Sequence, residues 1–280
     1  MNFPRAHGDA VKASVIVSGI ARSGTSILGM LVGSFEGMEY SFEPPLAQHL
    51  DWLLQEGLLG EELAVGLMRT YLAEDVMINF HLGRGYNLRP QDDSCAYNVK
   101  DRAEIERRVK TVNRTNEAVD LMERLGSRLA VKIVSAYSLL PVLGKHFKGA
   151  RVVEIERNLS DVKASVVARG WFSGGGGLHS AYWPCGVRGQ PYFVGDVGWD
   201  LLSDVQRAGV VVDVLGVLRE RALSVLRDAG CPVLVVKYED FLKRPLVVGR
   251  RVAGFVGVDF SELSYDVISR VEAHPTTTYT

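Results

Sequence analysis

The segment that decides the fold is residues 14–35, which read SVIVSGIARSGTSILGMLVGSF. Its first five residues are a short apolar run that stops at Gly19, the pattern of a buried strand. From Thr25 onward, apolar residues recur at the spacing of a helix that buries one face. The residues between them are mostly small and include Gly24. The segment therefore predicts a strand, a tight loop and a helix in immediate succession.

The same alternation continues along the chain. Further short β-rich runs occupy residues 38–42, 129–134, 151–156 and 232–237. Helical periodicity occupies residues 46–78 with a break near Gly57 and Gly60, residues 101–125 as one long helix, and residues 201–228. Alternation of this kind is typical of βαβ units. We therefore expect an α/β fold in which helices flank a central, mainly parallel sheet, as a P-loop-like three-layer sandwich.

A helix is also expected after the run at residues 151–156. Asn158 is suited to cap its first turn, and Asp161 three residues later would complete a variant of the capping box.

Composition limits the classes of function. The 32 Lys and Arg residues nearly balance the 33 Asp and Glu residues, so no overall field attracts nucleic acid. The cysteines are scattered without a CxxC pair, which argues against a disulfide framework or a zinc site and fits the cytoplasm. Residues 1–12 are polar, and no later apolar stretch is long enough to span a membrane, so we expect neither secretion nor a membrane anchor.

The chain has no break in composition that would mark a domain boundary. We therefore expect one domain over residues 1–280, with a flexible N-terminus at residues 1–12. Residues 173–198 are rich in glycine and lack periodicity, so they are expected to form a mobile substrate loop.

Residues 19–26 have the spacing of the phosphate-binding motif GxxxxGK[ST], but Thr25 stands where the lysine belongs. Backbone N–H groups and the helix dipole favour a phosphate at this position. Arg22 supplies a cation inside the loop, and its planar fork suits bidentate phosphate binding. Taken alone, the glycines would equally suit a tight turn between strand and helix.

Three stretches of the chain form a pattern together. Residues 22–26 read RSGTS, residues 152–165 read VVEIERNLSDVKAS, and residues 235–242 read VVKYEDFL. They resemble, in the same order, the 5′-phosphosulfate loop, the 3′-phosphate segment and the Tyr-Glu-Asp segment of sulfotransferases that use 3′-phosphoadenosine 5′-phosphosulfate (PAPS). Leu159 departs from the family pattern, where proline is usual, and no segment of residues 256–280 resembles the family's last 3′-phosphate motif.

The resemblance implies PAPS as donor and adenosine 3′,5′-bisphosphate (PAP) as product, without a required metal ion. The acceptor would be a hydroxyl group on a small molecule, a carbohydrate or a lipid. The residues that it implies for the donor are Arg22, Ser23, Gly24, Thr25 and Ser26 at the 5′ end, Arg157 and Ser165 at the 3′-phosphate, and Tyr238 near the nucleotide.

Glu43 ends the second predicted strand. The resemblance to the tyrosylprotein and bacterial branches implies that it is the general base, whereas the residues alone also allow a solvated carboxylate beside a turn. Glu36, Glu39 and His49 are the alternatives, and an imidazole is a competent base near neutral pH.

Lys132 lies within an otherwise apolar strand, where a charge is costly unless it reaches a partner. The resemblance implies that it stabilises the leaving group or the sulfuryl oxygens and acts in transfer with Glu43 and Arg22. An edge-strand lysine is the other interpretation.

Two other functions fit parts of the pattern. One is a P-loop-type small-molecule kinase that uses ATP and Mg²⁺, against which the missing lysine argues. The other is a nucleotide-binding module without catalysis.

Overall fold

A computed structural model describes residues 11, 13–173, 183–184, 189–195 and 197–273 of the chain. Its centre is a five-stranded sheet with the order β2-β3-β1-β4-β5. The strands are β1 (Val15–Gly19), β2 (Met38–Phe42), β3 (Arg128–Lys132), β4 (Arg151–Glu156) and β5 (Val233–Lys237). All four strand pairings are parallel. The predicted α/β class with a parallel sheet is therefore confirmed.

Helices fill the connections between the strands. They are α1 (Thr25–Gly33), α2 (Pro45–Gln55), α3 (Glu61–Thr70), α4 (Arg102–Thr111), α5 (Thr115–Leu125), α6 (Leu139–His146), α7 (Leu159–Ala168), α8 (Asp204–Asp228), α9 (Tyr238–Lys243), α10 (Pro245–Val256) and α11 (Glu262–Ala273). A π-helical segment, Tyr71–Ile78, and a short turn, Asn79–His81, extend α3. Short 3₁₀ turns lie at Ala96–Asn98 and Trp199–Leu201.

The sheet buries both of its faces. Ile16, Val131 and Val152 point to a core shared with α2, α3, α6 and α8. Val17 and Val153, which alternate with them along the strands, point to a second core shared with α1, α10 and α11. Near-continuous apolar strands are what a parallel sheet covered on both faces requires. The result is three layers with the carboxyl ends of all five strands at one edge.

The long helix predicted over residues 101–125 is wrong, because the chain breaks between α4 and α5. Val112 leaves the helix in an extended conformation, with φ −112° and ψ 109°, and its side chain is buried against Leu121. Glu117 then accepts hydrogen bonds from the N–H groups of Asn113 and Arg114 at 2.8 and 3.2 Å, which start a new helix. Burial of Val112 and this local cap outweigh the continuous helical periodicity.

The predicted cap of α7 is right in part. Asn158 accepts a hydrogen bond from the N–H of Ser160 at 2.8 Å, as an N-cap should. The N–H of Asn158, however, donates to Glu239 at 3.2 Å and not to Asp161. A residue from the segment after β5 thus completes the cap.

Two expectations lie wholly or partly outside the described residues. The predicted flexible segment 1–12 contributes only Val11, and the predicted loop 173–198 contributes residues 173, 183–184, 189–195 and 197–198. Within the described chain, no helix combines the length and apolar character needed to cross a membrane.

Candidate active site

The backbone conformation of the loop between β1 and α1 leaves space beside the start of α1. Gly24 is left-handed, with φ +93°, and a Cβ atom there would lie 2.5 Å from the ring of Tyr238. The N–H of Ser23 donates to the carbonyl oxygen of Ile20 at 3.0 Å, and the N–H of Ala21 donates to Ser135 Oγ at 3.0 Å. The glycine therefore lets an aromatic ring approach the start of α1, where the N–H groups of a helix N-terminus favour an anion.

Left-handed backbone at residues other than glycine occurs, among the described residues, only at Arg22, Glu43 and Ser135, with φ of 73°, 43° and 56°. Each lies just beyond the carboxyl end of β1, β2 or β3. Such conformations cost about 1–3 kcal/mol each and cluster at functional sites, where the surrounding structure enforces them. Three of them at one edge of the sheet mark that edge as the candidate site.

Glu43 and Lys132 form an ion pair at this edge. Lys132 Nζ lies 2.8 Å from Glu43 Oε1 and donates to Ser26 Oγ at 3.0 Å. It also lies 3.4 Å from the centre of the Phe42 ring, a cation–π contact. β2 and β3 are adjacent with Phe42 opposite Lys132, so the sheet register itself brings the two charged residues together.

The two members of the pair differ in exposure. The Lys132 side chain is fully buried, whereas 30% of the Glu43 side chain is exposed. Burial lowers the pKa of Lys132 below its ordinary value, and the Glu43 carboxylate opposes that shift. Glu43 therefore favours the charged form of Lys132 at the start of α1.

A cavity of about 370 Å³ opens beside this pair. Its apolar wall includes Trp52 from α2 and Trp183, and Glu43 and Lys132 lie at its polar end. Gln48 also lines it, donating from Nε2 to the carbonyl oxygen of Val134 at 2.6 Å, while its buried Oε1 has no hydrogen-bond partner among the described residues. A molecule in this cavity could place a hydroxyl at Glu43 and a donor at Gln48.

A second group of residues lies between β4 and α7. Arg157 follows β4 and donates from Nη1 to the carbonyl oxygen of Arg22 at 3.0 Å. Its guanidinium carbon is 4.7 Å from the centre of the Tyr238 ring. Arg22 Nε donates to Ser165 Oγ at 3.2 Å. The structure thus brings together four residues that the sequence places in three separate motifs.

Glu39 and Glu36, two of the alternative bases, lie in other surroundings. Glu39 is buried and paired with Lys100 and Arg108 at 2.9 and 2.8 Å. Burial by itself raises its pKa, but the two cations overcome this and lower the pKa to about 2. Glu36 is exposed in the turn before β2, at the opposite end of the sheet. Neither meets the cavity.

His49, the third alternative, does line the cavity. Its Nδ1 lies 2.9 Å from the carbonyl oxygen of Pro45, one helical turn earlier. If that nitrogen carries the proton, Nε2 is left as the basic atom.

The sequence analysis missed a buried carboxylate behind the cavity, Asp51 on α2. Asp51 Oδ1 accepts hydrogen bonds from the N–H groups of Ser138 and Leu139 at 2.7 Å each, which caps α6 from another helix. Oδ2 accepts a hydrogen bond from the hydroxyl of Tyr192. Phe193 in turn packs against Trp183 of the cavity wall, with ring centres 5.4 Å apart. The available signal was an acidic residue among the apolar positions of an amphipathic helix.

Comparison with known proteins found no match to a family model and no match among characterised protein sequences. Solved structures do match. A sulfotransferase domain from the curacin biosynthetic pathway has a TM-score of 0.49 at 15% identity, covering 90% of this chain and 76% of its own. The sulfotransferase domain of the Synechococcus PCC 7002 olefin synthase has a TM-score of 0.43 at 18% identity, covering 91% and 76%.

These neighbours are sulfotransferases. A third, retinol dehydratase, was solved with androsterone and the inactive cofactor PAP, and it matches with a TM-score of 0.32 at 16% identity, covering 95% of this chain and 69% of its own. At these values the similarity bears on neither activity nor substrate, so the function has to be argued from the site.

Proposed function

We propose that this chain is a sulfotransferase that moves a sulfuryl group from PAPS to a hydroxyl of a small-molecule, carbohydrate or lipid acceptor. The observation that carries the proposal is the contact of Lys132 with both Ser26 and Glu43. It joins a phosphate loop, a buried cation and a carboxylate beside a cavity, which are the parts that group transfer to a hydroxyl needs.

Two candidate anion subsites support PAPS as the donor. The loop at residues 19–26 opens α1 and offers backbone N–H groups for the 5′-phosphosulfate. Arg157 and Ser165 lie beside it and suit a second phosphate. Arg157 Nε is buried, and in the described part of the chain it has no hydrogen-bond partner. A buried guanidinium N–H without an acceptor is costly, and the 3′-phosphate of PAPS would satisfy it.

The chemistry follows from the positions of Glu43 and Lys132. Glu43 accepts the proton of the acceptor hydroxyl as its oxygen attacks sulfur. The new O–S bond forms, the bond from sulfur to the bridging oxygen breaks, and PAP leaves with that electron pair. Lys132 stabilises negative charge on the oxygens around sulfur, as cations do in phosphoryl transfer.

A kinase is the alternative that the loop spacing raises. In phosphate loops of that class, a lysine contacts the phosphates and the Ser or Thr hydroxyl binds Mg²⁺. Here Thr25 replaces that lysine, and the corresponding hydroxyl, Ser26 Oγ, accepts a hydrogen bond from Lys132. The hydroxyl that would bind Mg²⁺ in a kinase is thus already in contact with a lysine of the protein. This contact favours sulfuryl transfer.

The first test is calorimetric titration with PAP and, separately, with Mg²⁺ATP. We expect binding of PAP. Binding of Mg²⁺ATP but not of PAP would contradict the proposal and favour a kinase.

The second test follows transfer of labelled sulfate from PAPS to a panel of phenols, sterols and sugars. Glu43→Gln should keep PAP affinity and lower turnover by about 10² to 10⁴. Glu36→Gln, which removes an exposed carboxylate at the other end of the sheet, is the matched control. If the protein bound PAP but transferred sulfate to no acceptor, and if Glu43→Gln did not change PAP binding, the chain would be a non-catalytic nucleotide-binding module.

A further inference from the structure

The side-chain amide of Gln48 is held in one orientation beside the cavity. Gln48 lies on α2, five residues after Glu43. Its Nε2 donates to the carbonyl oxygen of Val134 at 2.6 Å, on the segment that follows β3. A carbonyl oxygen accepts and cannot donate, so this hydrogen bond requires the amide nitrogen at Val134. The other end of the amide, Oε1, is therefore an acceptor whose direction is fixed.

That acceptor is buried and lacks a donor. No residue of the described chain donates a hydrogen bond to Gln48 Oε1. A buried acceptor without a donor costs free energy, so such an atom binds either water or a group of a ligand. Gln48 lines the same cavity as Glu43, so a molecule in that cavity can bring the missing donor.

The rest of the lining limits the molecule that brings this donor. Most of the described lining residues are proline, aliphatic or aromatic, and Trp52 and Trp183 provide the largest flat surfaces. A carbohydrate has a hydroxyl on nearly every carbon and would leave several of them unpaired against this apolar wall. Among the described lining residues, Glu43 is the sole carboxylate, and it is already paired with Lys132. An ammonium group on the ligand would therefore find no free counter-charge, which favours a neutral donor.

We infer that the acceptor is an apolar molecule with a second, neutral hydrogen-bond donor, and that Gln48 Oε1 binds this donor. The inference rests on the proposed function and deepens it, because it names a class of acceptor and the residue that selects it. Glu43 receives the hydroxyl to be sulfated, and Gln48 holds the acceptor at a second point. Two fixed points determine which hydroxyl faces sulfur, and this positioning contributes to the rate. Gln48 is then a specificity-determining residue.

The probes for the test are dihydroxynaphthalenes, in several isomers that differ in the separation of their two hydroxyls. Each diol is compared with its monomethyl ether, which keeps the second oxygen but cannot donate from it, and with the naphthol that lacks this oxygen. Affinity is measured by calorimetry with and without PAP, and kcat/KM is measured for transfer from PAPS. We expect at least one diol to bind the wild type about five- to a hundredfold more tightly than both of its comparators.

Gln48→Met keeps the length of the side chain and removes the acceptor oxygen. This variant should reduce the preference for the diol to no more than about twofold, since the second hydroxyl then gains no partner. A purely structural role of Gln48 would instead weaken the binding of all three compounds and leave their ratios unchanged. Gln55→Met is the matched control on the same helix. Gln55 lies outside the described lining and accepts a hydrogen bond from Ser138 Oγ at 3.1 Å, so this variant should keep the preference.

The inference would be overturned if no diol bound the wild type more tightly than both comparators, or if the preference survived Gln48→Met. PAP binding together with sulfate transfer would still support the proposed function in that case. The wild-type comparison needs no variant, so it decides the question even if Gln48→Met does not fold. A wild type that prefers a diol but neither binds PAP nor transfers sulfate would retain the Gln48 subsite and overturn the proposed function.

Discussion

The unequal burial of Glu43 and Lys132 makes a prediction about stability that needs no acceptor. Lys132→Met removes the charge, keeps the apolar stem and leaves Glu43 behind. Because 30% of the Glu43 side chain is exposed, water can solvate the carboxylate. Ser26, which loses its donor, is also partly exposed. We expect the free energy of unfolding at pH 7 to change by no more than about 1 kcal/mol.

Glu43→Gln leaves the opposite residue behind. The ammonium group of Lys132 is fully buried and keeps only neutral partners, which are the amide introduced at position 43, Ser26 Oγ and the Phe42 ring. Breaking a fully buried ion pair costs about 3–5 kcal/mol, and partial exposure of Glu43 reduces this to about 2–3 kcal/mol. Glu43→Gln should therefore be the less stable variant, although its change in shape is the smaller one.

The pH dependence separates this explanation from a general loss of packing. Burial lowers the pKa of Lys132, and removal of Glu43 removes the charge that opposes this shift. In the Glu43→Gln variant the unfolded chain binds the lysine proton more tightly than the folded one, so stability must rise with pH up to the unfolded pKa of about 10.4. Lys132→Met should lack this rise.

Urea unfolding followed by circular dichroism at about pH 7 and about pH 9.5 measures both effects. The expected order at neutral pH is wild type close to Lys132→Met, with Glu43→Gln below them, and the gap narrows at the alkaline pH. If Lys132→Met were the less stable variant, or if the gap did not depend on pH, the argument from burial would be wrong.

Three further residues carry predictions: Gly24 and Asp51 near the site, and Glu39 away from it. Gly24→Ala would place a Cβ atom 2.5 Å from the Tyr238 ring at a φ of +93°. Such strain costs roughly 1–3 kcal/mol, so we expect calorimetry to show a loss of at least tenfold in PAP affinity. Normal affinity would show that the Tyr238 ring moves aside without cost. Burial raises the pKa of Glu39 but two cations lower it from 4.5 to about 2, which stabilises the fold by about 3 kcal/mol above pH 4.5 and is lost as pH falls toward 2. Acid unfolding of Glu39→Gln should lack most of that loss, and parallel curves for variant and wild type would contradict it. Burial raises the pKa of Asp51 to about 6 against hydrogen bonds that lower it, so wild-type stability should fall as pH rises from about 4 to 6, and Asp51→Asn should remove this slope in thermal unfolding. Asp51→Ala should lower the free energy of unfolding by about 2 kcal/mol more than Asp51→Asn, since the N–H of Ser138 loses its acceptor. Equal stability of the two variants would show that this cap does not stabilise α6.

The sequence predicted the elements of the sheet more closely than the contacts between them. Strands β2 and β4 have the predicted bounds, whereas β1 and β3 differ by one or two residues at both ends and β5 by one residue at its start. Apolar runs bounded by glycine and charge carry this local information. The order of strands is set by packing of distant segments, and no local pattern encodes it. Glu43 and Lys132 are 89 residues apart in sequence and meet only because β2 and β3 are neighbours.

The sequence also could not predict the direction in which each side chain of the site points. The motif at residues 22–26 predicted that Arg22 binds a phosphate, but it could not show that the Arg22 side chain contacts Ser165, because that contact depends on a left-handed backbone and on another helix. Asp51 was missed for a similar reason. Its partners Ser138 and Tyr192 belong to distant segments, and a lone acidic residue in a helix is most often a solvated one.

The cavity beside Glu43 has a consequence for how this chain could diversify. Its wall is formed by α2 and by residues 183–184, whereas the residues assigned to the nucleotide follow β1, β4 and β5. Substitutions at Trp52 or Trp183 can therefore change the shape of the cavity without touching a residue that we propose to hold the donor. Under the proposed function, natural variation or laboratory evolution could exchange one acceptor for another in small steps, each of which leaves the donor site unchanged.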